Sequence, residues 1–263
     1  MSRKISRLAV AILVAIPSLA QKPAEPTVDR TFHFTTGPSA RDLQEIATVL
    51  RTVAQIRTLS VDAAAPSISV SGNSGDIALA DWTIQALDQP ARPLAPEKQI
   101  RDSAVHEYRV PGAKDDVVRM FYLTDINTPQ SMQELLTVLR TVGAIQRVFN
   151  YTTPLALAVR GTTAQIALST WIISELDQPS TGQTEGIHQF ESGDANFPVV
   201  RAFYLAHRSP KDIQDTLSAL RATVHIQRAF SHTARAVVIR AGSPGQVEDA
   251  ARMVAARDRG VTP

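Results

Sequence analysis

The chain has 263 residues, of which 44% are hydrophobic and 20% are charged, the composition of a folded globular protein long enough for two or more domains. Cysteine is absent, so disulfide bonds, thiolate metal sites and cysteine nucleophiles are excluded. The formal net charge is +2, but beyond residue 20 the chain carries 24 basic and 25 acidic residues, so its basicity does not indicate nucleic-acid binding.

The first twenty residues are typical of a secretory signal. Arg3, Lys4 and Arg7 precede an apolar run over residues 8–16, and small residues follow it up to Ala20. We therefore expect a signal peptide over residues 1–20 that is removed after Ala20. The alternative is a short uncleaved membrane anchor, but the apolar run is well under the roughly 20 residues that span a bilayer. No later segment is apolar enough to cross a membrane, so the expected location is the periplasm or cell envelope.

The sequence then repeats itself. At an offset of 89 residues, Phe32 aligns with Phe121, and Trp82 aligns with Trp171, without a gap. A third copy begins with "VVRAFYL", which matches "VVRMFYL" in the second. The period is longer than the roughly 20 to 50 residues of solenoid repeats, so the sequence predicts three small tandem domains. We call them modules 1, 2 and 3 and place them at residues 31–90, 105–179 and 187–262.

Each module starts with a strand and continues with an amphipathic helix. Helix-capping patterns stand at the same place in every copy: Ser39 with Asp42, Thr128 with Pro129, and Ser209 with Pro210. In module 2, two runs rich in β-forming residues follow the helix, "IQRVFNYT" and "LALAVRGT", and predict a hairpin. A second helix then ends at "DQP", because proline cannot continue it. The prediction is an α+β fold of three tandem βαββα modules with a topology like that of KH domains.

The segments between modules are predicted linkers, rich in proline, glycine and charge. A short run, "HEYRV" or "HQFES", stands just before the repeated sequence of modules 2 and 3 and could add an edge strand to each of them. A module of about 60 residues buries only about 60% of the surface that its unfolded chain exposes, so we expect the modules to associate with neighbours.

Module 2, with "VVRMFYLTDINTPQSMQELLTVLRTV" and "ALAVRGTTAQIALSTWIISELDQP", resembles the periplasmic N-domains of secretins. Modules 1 and 3 are similar to that family more loosely. The resemblance implies ring-building βαββα modules of the kind that precede the outer-membrane channel in type II secretion and type IV pilus machines. Since the residues after module 3 are too few for a channel domain, the expectation is a chain of N-domains without the channel.

Catalytic patterns are absent from the sequence. It contains no GxSxG, no HExxH, no glycine-rich phosphate loop and no paired-cysteine zinc site. Six histidines are scattered along the chain, and no spacing places two of them on one helical face. The expectation is a protein that is not an enzyme and that binds no metal or cofactor.

Five residues are candidates for a protein interface. Trp82 and Trp171 occupy equivalent places on the second helices, where they are either partly buried under a linker or anchors for a neighbour. Arg140 and Arg221 follow the core leucine of the first helix, where they either solvate the outer face or form a docking surface. Arg228 belongs to the basic excess of module 3, since residues 199–263 contain ten basic and five acidic residues.

Three classes of function follow. The first is an assembly or protein-binding protein whose partner is itself, as a homo-oligomer or ring, or an envelope protein of a secretion or pilus system. The second is a periplasmic ligand-binding protein or enzyme with a site between modules. The third is nucleic-acid binding like that of KH domains, which the sequence disfavours because it has no GXXG loop between two helices. The expectation is therefore the first class, without nucleic acid as a partner.

Overall fold

A computed structural model describes residues 26–90, 107–179, 188–205, 209–233 and 235–259. The predicted signal peptide and, within the predicted linkers, residues 91–106 and 180–187 lie outside the described residues. Module 1 consists of β1 (Val28–His33), α1 (Ala40–Val49) with a π-helical turn (Leu50–Ala54), β2 (Thr58–Asp62), β3 (Ser67–Gly72) and α2 (Ser74–Leu87). Its three strands form an antiparallel sheet in the order β1-β3-β2.

Modules 2 and 3 have the same element order with one strand added in front. Module 2 contains β4 (Glu107–Arg109), β5 (Val117–Tyr122), α3 (Pro129–Thr141), β6 (Arg147–Tyr151), β7 (Ala156–Gly161) and α4 (Thr163–Leu176). Module 3 contains β8 (His188–Glu191), β9 (Val199–Tyr204), α5 (Pro210–Ala222), β10 (Arg228–His232), β11 (Ala236–Ala241) and α6 (Pro244–Asp258). Their sheets have the orders β4-β5-β7-β6 and β8-β9-β11-β10. The fold is therefore α+β, with three small sheets and six helices among the described residues.

The predicted caps begin the first helix of each module. Ser39 accepts a hydrogen bond from the Asp42 amide, and the Asp42 carboxylate accepts one from the Ser39 amide at 2.9 Å. Thr128 and Ser209 cap α3 and α5, each followed by proline at the first helical position. Since the first amides of a helix have no partner within it, these side chains fix where each helix begins.

The second helices of modules 1 and 2 end where the sequence predicts. In the structure, hydrogen bonds made by the aspartate after each helix also fix this end. α2 stops at Leu87, and the next residue, Asp88, turns back to the loop after β1. Its carboxylate accepts hydrogen bonds from the amides and hydroxyls of Thr35 and Thr36. Burial raises the pKa of Asp88, but these four hydrogen bonds outweigh it and hold the pKa below its usual value. Asp177 makes equivalent bonds to the amides after β5.

The two linker runs form the predicted edge strands. In module 2, Glu107 of β4 pairs with Arg119 of β5, and in module 3, Gln189 of β8 pairs with Arg201 of β9. Both strands come from the residues just before the repeated sequence of their module, as predicted. Among the described residues of module 1, by contrast, β1 has a strand neighbour on one side only.

The modules stack on one another, so their apolar cores cross module boundaries. One face of the module 2 sheet, including Val118, Met120 and Ala158, belongs to the same buried cluster as the helices of module 1. The equivalent face of module 3, including Ala202 and Val238, belongs to the cluster of the module 2 helices. The expected association between neighbours is therefore present within the chain, as helices of one module against the sheet of the next.

No helix in the described part of the chain is both long enough and apolar enough to cross a membrane.

Candidate protein-interaction site

The contact between modules follows from the two-residue period of a strand. Val117 and Leu157 point toward their own helices α3 and α4, whereas Val118, Met120 and Ala158 point to the other face. Because both faces of this sheet carry apolar side chains, the second face requires a cover, and the helices of module 1 provide it. The same alternation in β9 and β11 directs one face of module 3 toward module 2.

A buried arginine crosses each contact. Arg160 Nη1 donates to the carbonyl oxygens of Val53 and Ala54, at 3.4 and 3.2 Å, and its Nε donates to the Asp115 carbonyl at 3.0 Å. The carbonyls at the end of a helix have no partner within it, and Arg160 provides one for the helical segment of module 1. Burial, and then the nearby Arg147, lower the pKa of Arg160.

Arg240 repeats this arrangement between modules 2 and 3. Its Nη1 donates to the carbonyls of Val142 and Gly143, each at 3.3 Å, and its Nη2 pairs with Asp194 at 2.9 Å. Val142 lies 89 residues after Val53, and Arg240 lies 80 residues after Arg160, so corresponding residues make the same contact twice.

Acidic side chains on the first helices bind the hairpins of the next module. Glu45 of α1 accepts from the Thr152 amide at 2.8 Å, and Glu134 of α3 accepts from the Thr233 amide. Asp42 accepts from the Thr153 hydroxyl. Burial, together with the negative charge of Asp42, raises the pKa of Tyr151 in this hairpin to about 12.

The position of Tyr151 is taken by His232 in module 3. His232 is buried, and its Nε2 donates to the carbonyl oxygen of Ser131 at 3.2 Å. Burial is the main cause that lowers the pKa of His232, and Arg235 lowers it further, while Glu134 and Asp177 oppose the shift. Burial in the contact between modules 2 and 3 thus favours the neutral form of the imidazole.

Aromatic residues complete both contacts on the side of the second helix. The Tyr122 hydroxyl donates to the Ala86 carbonyl at 2.5 Å, and the Tyr204 hydroxyl donates to the Glu175 carbonyl at 2.8 Å. In addition, ring centroids lie 5.7 Å apart in two equivalent pairs, Trp82 with Tyr108 and Trp171 with Phe190.

The two predicted tryptophan anchors are thus half-buried against the linker-derived strand of the following module in the same chain. Arg140 Nη2 donates to the Val148 carbonyl at 3.0 Å and Arg221 Nη2 to the Ala229 carbonyl at 2.8 Å, so each ties its helix to its own hairpin. The guanidinium of Arg228 lies 4.1 Å from the centroid of the Phe197 ring. Binding of a second protein by these five residues remains a prediction.

Sequence reasoning missed Arg160 and Arg240, the central residues of the two contacts. A signal for them exists: both stand at the same place in a strongly apolar strand, in "LALAVRGT" and "AVVIRAGS". A charged residue that recurs within a buried strand requires a partner, but the sequence does not indicate that the partners are backbone carbonyls of another module.

The free sheet face of module 1 is polar. The outward positions of its strands are Asp29, Thr31 and His33 on β1, Thr58, Ser60 and Asp62 on β2, and Ser67, Ser69 and Ser71 on β3. Ser71 stands where modules 2 and 3 have Arg160 and Arg240. This face therefore lacks the apolar side chains that modules 2 and 3 carry at the equivalent face.

The free helical face of module 3 is polar as well. Arg252 replaces the tryptophan and forms an exposed ion pair with Asp249. Asp215 stands at the position of Glu134 and pairs with Lys211 at 2.9 Å. Each end of the stack therefore carries residues different from those of the contacts inside it.

The described residues contain no group of three histidine, aspartate or glutamate side chains that could hold a metal ion. A cavity of about 760 Å³ lies between modules 1 and 2, lined in part by Arg57, Asn73, Asp76, Tyr108 and Arg160. Small-molecule pockets are usually lined mainly by apolar side chains, and this lining is mostly polar.

Comparison with known proteins gave similarities to solved structures only. No family model and no curated protein matches the chain. ExeD from Aeromonas hydrophila has 16% identity and a TM-score of 0.21, over 89% of this chain and 41% of that chain. The N-terminal domain of the secretin XcpQ from Pseudomonas aeruginosa, in a dimeric mutant form, has 18% identity and a TM-score of 0.23, over 59% of this chain and 62% of that chain.

The type II secretion system secretin GspD of E. coli K12 has 14% identity and a TM-score of 0.20, over 89% of this chain and 39% of that chain. The chain therefore spans about two fifths of the length of ExeD and GspD. TM-scores near 0.2 do not establish a common arrangement of the whole chain.

Proposed function

We propose that the chain is an exported, non-enzymatic protein-binding component of a cell-envelope assembly, of the kind formed in type II secretion or type IV pilus systems. One observation carries the proposal. The same contact, made by the helices of one βαββα module and the sheet of the next, occurs twice in the chain with corresponding residues. A module that recognises its like through a defined face is suited to assembly, and the resemblance of module 2 to secretin N-domains supports the same class of role.

The polar ends of the stack restrict how a partner binds. A further chain added through the same contact would place the serines and threonines of module 1 against the polar helices of module 3. That contact would lack both the apolar cluster and the buried arginine of the internal ones. We therefore infer that partners, including a second copy, bind the sides of the stack. The basic excess of module 3 favours a partner with an acidic surface, because complementary charge speeds and orients docking.

Photocrosslinking in the native cell tests this function. A photoreactive phenylalanine derivative is placed singly at Arg41, Gln133 or Ser218, exposed positions on the three modules. We expect light-dependent adducts of defined mass with an envelope protein of a secretion or pilus system or with a second copy. A chain without residues 1–20, kept in the cytoplasm, is the control and should give none of these adducts. Absence of adducts at all three positions in the exported chain would contradict the proposal.

A further inference from the structure

Among the described residues, the sheet of module 1 has three strands, one fewer than the sheets of modules 2 and 3. β5 and β9 each lie between two strands, whereas β1, their equivalent, has only β3 beside it among the described residues. β4 ends eight residues before β5 begins, and β8 ends eight residues before β9 begins. The same spacing before Val28 reaches Ala20, where we expect the signal peptide to be removed. Processing there would detach the residues that could supply the strand.

An exposed apolar side chain lies at the β1 edge of the module 1 sheet. The first residue of β5, Val117, is 1% exposed, and the first residue of β9, Val199, is 4% exposed. The equivalent residue of β1, Val28, is 42% exposed. Among the described residues, no other large hydrophobic side chain is classed as exposed. Val117 is paired with Arg109 of β4 and Val199 with Glu191 of β8, so a strand beside β1 would give Val28 the neighbour that its counterparts have.

An arginine indicates the chemistry of the missing strand. In module 2, the Arg119 guanidinium donates to Glu107 of β4 and to Thr170, and its side chain is 21% exposed. The equivalent Arg30 lies 3.3 Å from Asp81, the counterpart of Thr170, and is 50% exposed. A guanidinium has five N–H donors, so Arg30 can also bind an acceptor on an incoming strand. In module 3, Gln189 is the residue opposite the equivalent arginine, Arg201.

We propose that the β1 edge binds an extended segment of a partner protein that carries an acidic or amide side chain, and that this segment becomes the fourth strand of the module 1 sheet. The segment runs antiparallel to β1 and places a glutamate or glutamine opposite Arg30. Backbone hydrogen bonds to the edge supply affinity and the residue opposite Arg30 supplies selectivity, as in other cases of strand addition to a sheet. This inference rests on the proposed function and names the class of partner for module 1.

A second copy fits this edge less well than such a segment. If two β1 strands paired about Arg30, two arginines would lie directly opposite each other, which destabilises a sheet. If they paired about Thr31, Arg30 would lie opposite Phe32 of the second copy and would receive no acceptor. The strand that satisfies Arg30 therefore comes from a different sequence.

Nuclear magnetic resonance with a synthetic peptide tests the proposal. The probe has the sequence "VHEYRV", residues 105–110, because its glutamate faces the equivalent arginine in module 2. It is titrated into the isotope-labelled chain that begins at residue 21. We expect shift changes in β1 and slower hydrogen exchange of its amides at millimolar peptide. The strand of module 2 that matches β1 is already covered by β4 and should not respond.

Charge reversal makes the test specific. Arg30→Glu should weaken binding roughly tenfold, as should Glu107→Lys in the peptide, and the two changes together should restore it. Arg51→Glu makes the same charge change at an exposed site elsewhere on module 1 and should leave binding unchanged.

Three results would overturn the proposal: no response in β1, equal binding of the lysine peptide to the unaltered chain, or protection of the β1 amides before peptide is added. In the last case, sedimentation shows whether a second copy occupies the edge. Crosslinks to an envelope protein could still form at the positions named above, so failure here is distinguishable from failure of the proposed function.

Discussion

Removal of the Arg160 side chain should separate modules 1 and 2. Arg160 is buried and donates to two carbonyls of module 1 and to the Asp115 carbonyl of its own module. Hydrogen bonds that involve a charged group contribute about 1.5–3 kcal/mol each, and each buried carbonyl left without a partner costs about 1–3 kcal/mol. We expect Arg160→Ala to lower the free energy of unfolding of the contact by about 3–5 kcal/mol, a large part of the stability of a small domain.

The two tryptophans of the chain allow each contact to be followed separately. Trp82 packs against Tyr108 across the first contact, and Trp171 packs against Phe190 across the second, with the rings tilted in both pairs. In a Trp171→Phe background, fluorescence during urea unfolding reports on the first contact, and in a Trp82→Phe background it reports on the second. Arg160→Ala should move the Trp82 transition to lower urea concentration and leave the Trp171 transition in place.

Two matched variants complete this prediction. Arg240→Ala should have the converse effect, because Arg240 makes the equivalent hydrogen bonds to Val142 and Gly143. Ser71→Ala changes the corresponding position of module 1, which has no module before it in the described structure, and should change stability by less than about 0.5 kcal/mol. The reasoning is refuted if Arg160→Ala also costs less than about 0.5 kcal/mol, or if both tryptophans respond equally to either arginine variant.

Three further predictions concern the core, the acid response and the helix ends. Leu139→Ala and Ile173→Ala remove buried side chains of module 2, so each should lower the free energy of urea unfolding by about 2–5 kcal/mol. If both variants lose less than about 0.5 kcal/mol, the loss usual for exposed positions, the buried faces are misassigned. His232 has a lowered pKa in the folded chain, so the unfolded chain binds more protons in acid, and the stability of the second contact should fall as pH falls below about 6.5. His232→Tyr installs the module 2 residue and should remove this part of the pH dependence of the Trp171 transition. An unchanged pH dependence in that variant would contradict the role given to His232. Asp88→Ala removes the acceptor for Thr35 and Thr36 and should lower the free energy of unfolding by about 1–3 kcal/mol. Asp62→Ala, at an exposed strand end, should lower it by less. Equal losses of stability in thermal unfolding would disprove the role given to Asp88.

The elements within a module are predictable from sequence because their signals are local. A serine or threonine cap and its partner three residues later fix where α1 and α3 begin, and proline at the first helical position adds to the signal in α3 and α5. The runs "HEYRV" and "HQFES" are predictable as strands because they stand at matching distances before repeated sequences.

The contacts between modules are not predictable in the same way, because half of each contact is backbone. Arg160 binds carbonyl groups of Val53 and Ala54, and every residue has a carbonyl, so no pattern marks the partner. The role of "LDQP" was only partly predictable for a similar reason. Proline indicates that the helix must stop, but the bond from Asp88 to the loop after β1 depends on distances that arise only in the folded module.

Crosslinking of paired cysteines tests most directly whether one contact is used twice. The natural chain has no cysteine, so two introduced thiols can be bridged by a short bismaleimide without side reactions. Cysteines at Glu45 and Thr152, or at Glu134 and Thr233, should be bridged within a single chain, because each pair is hydrogen-bonded in the stack. A pair at Glu45 and Thr233 joins modules that are not adjacent and should stay open. Bridging of both adjacent pairs within the monomer is the predicted result, and failure of either pair, or bridging only between chains, would contradict the stacked arrangement.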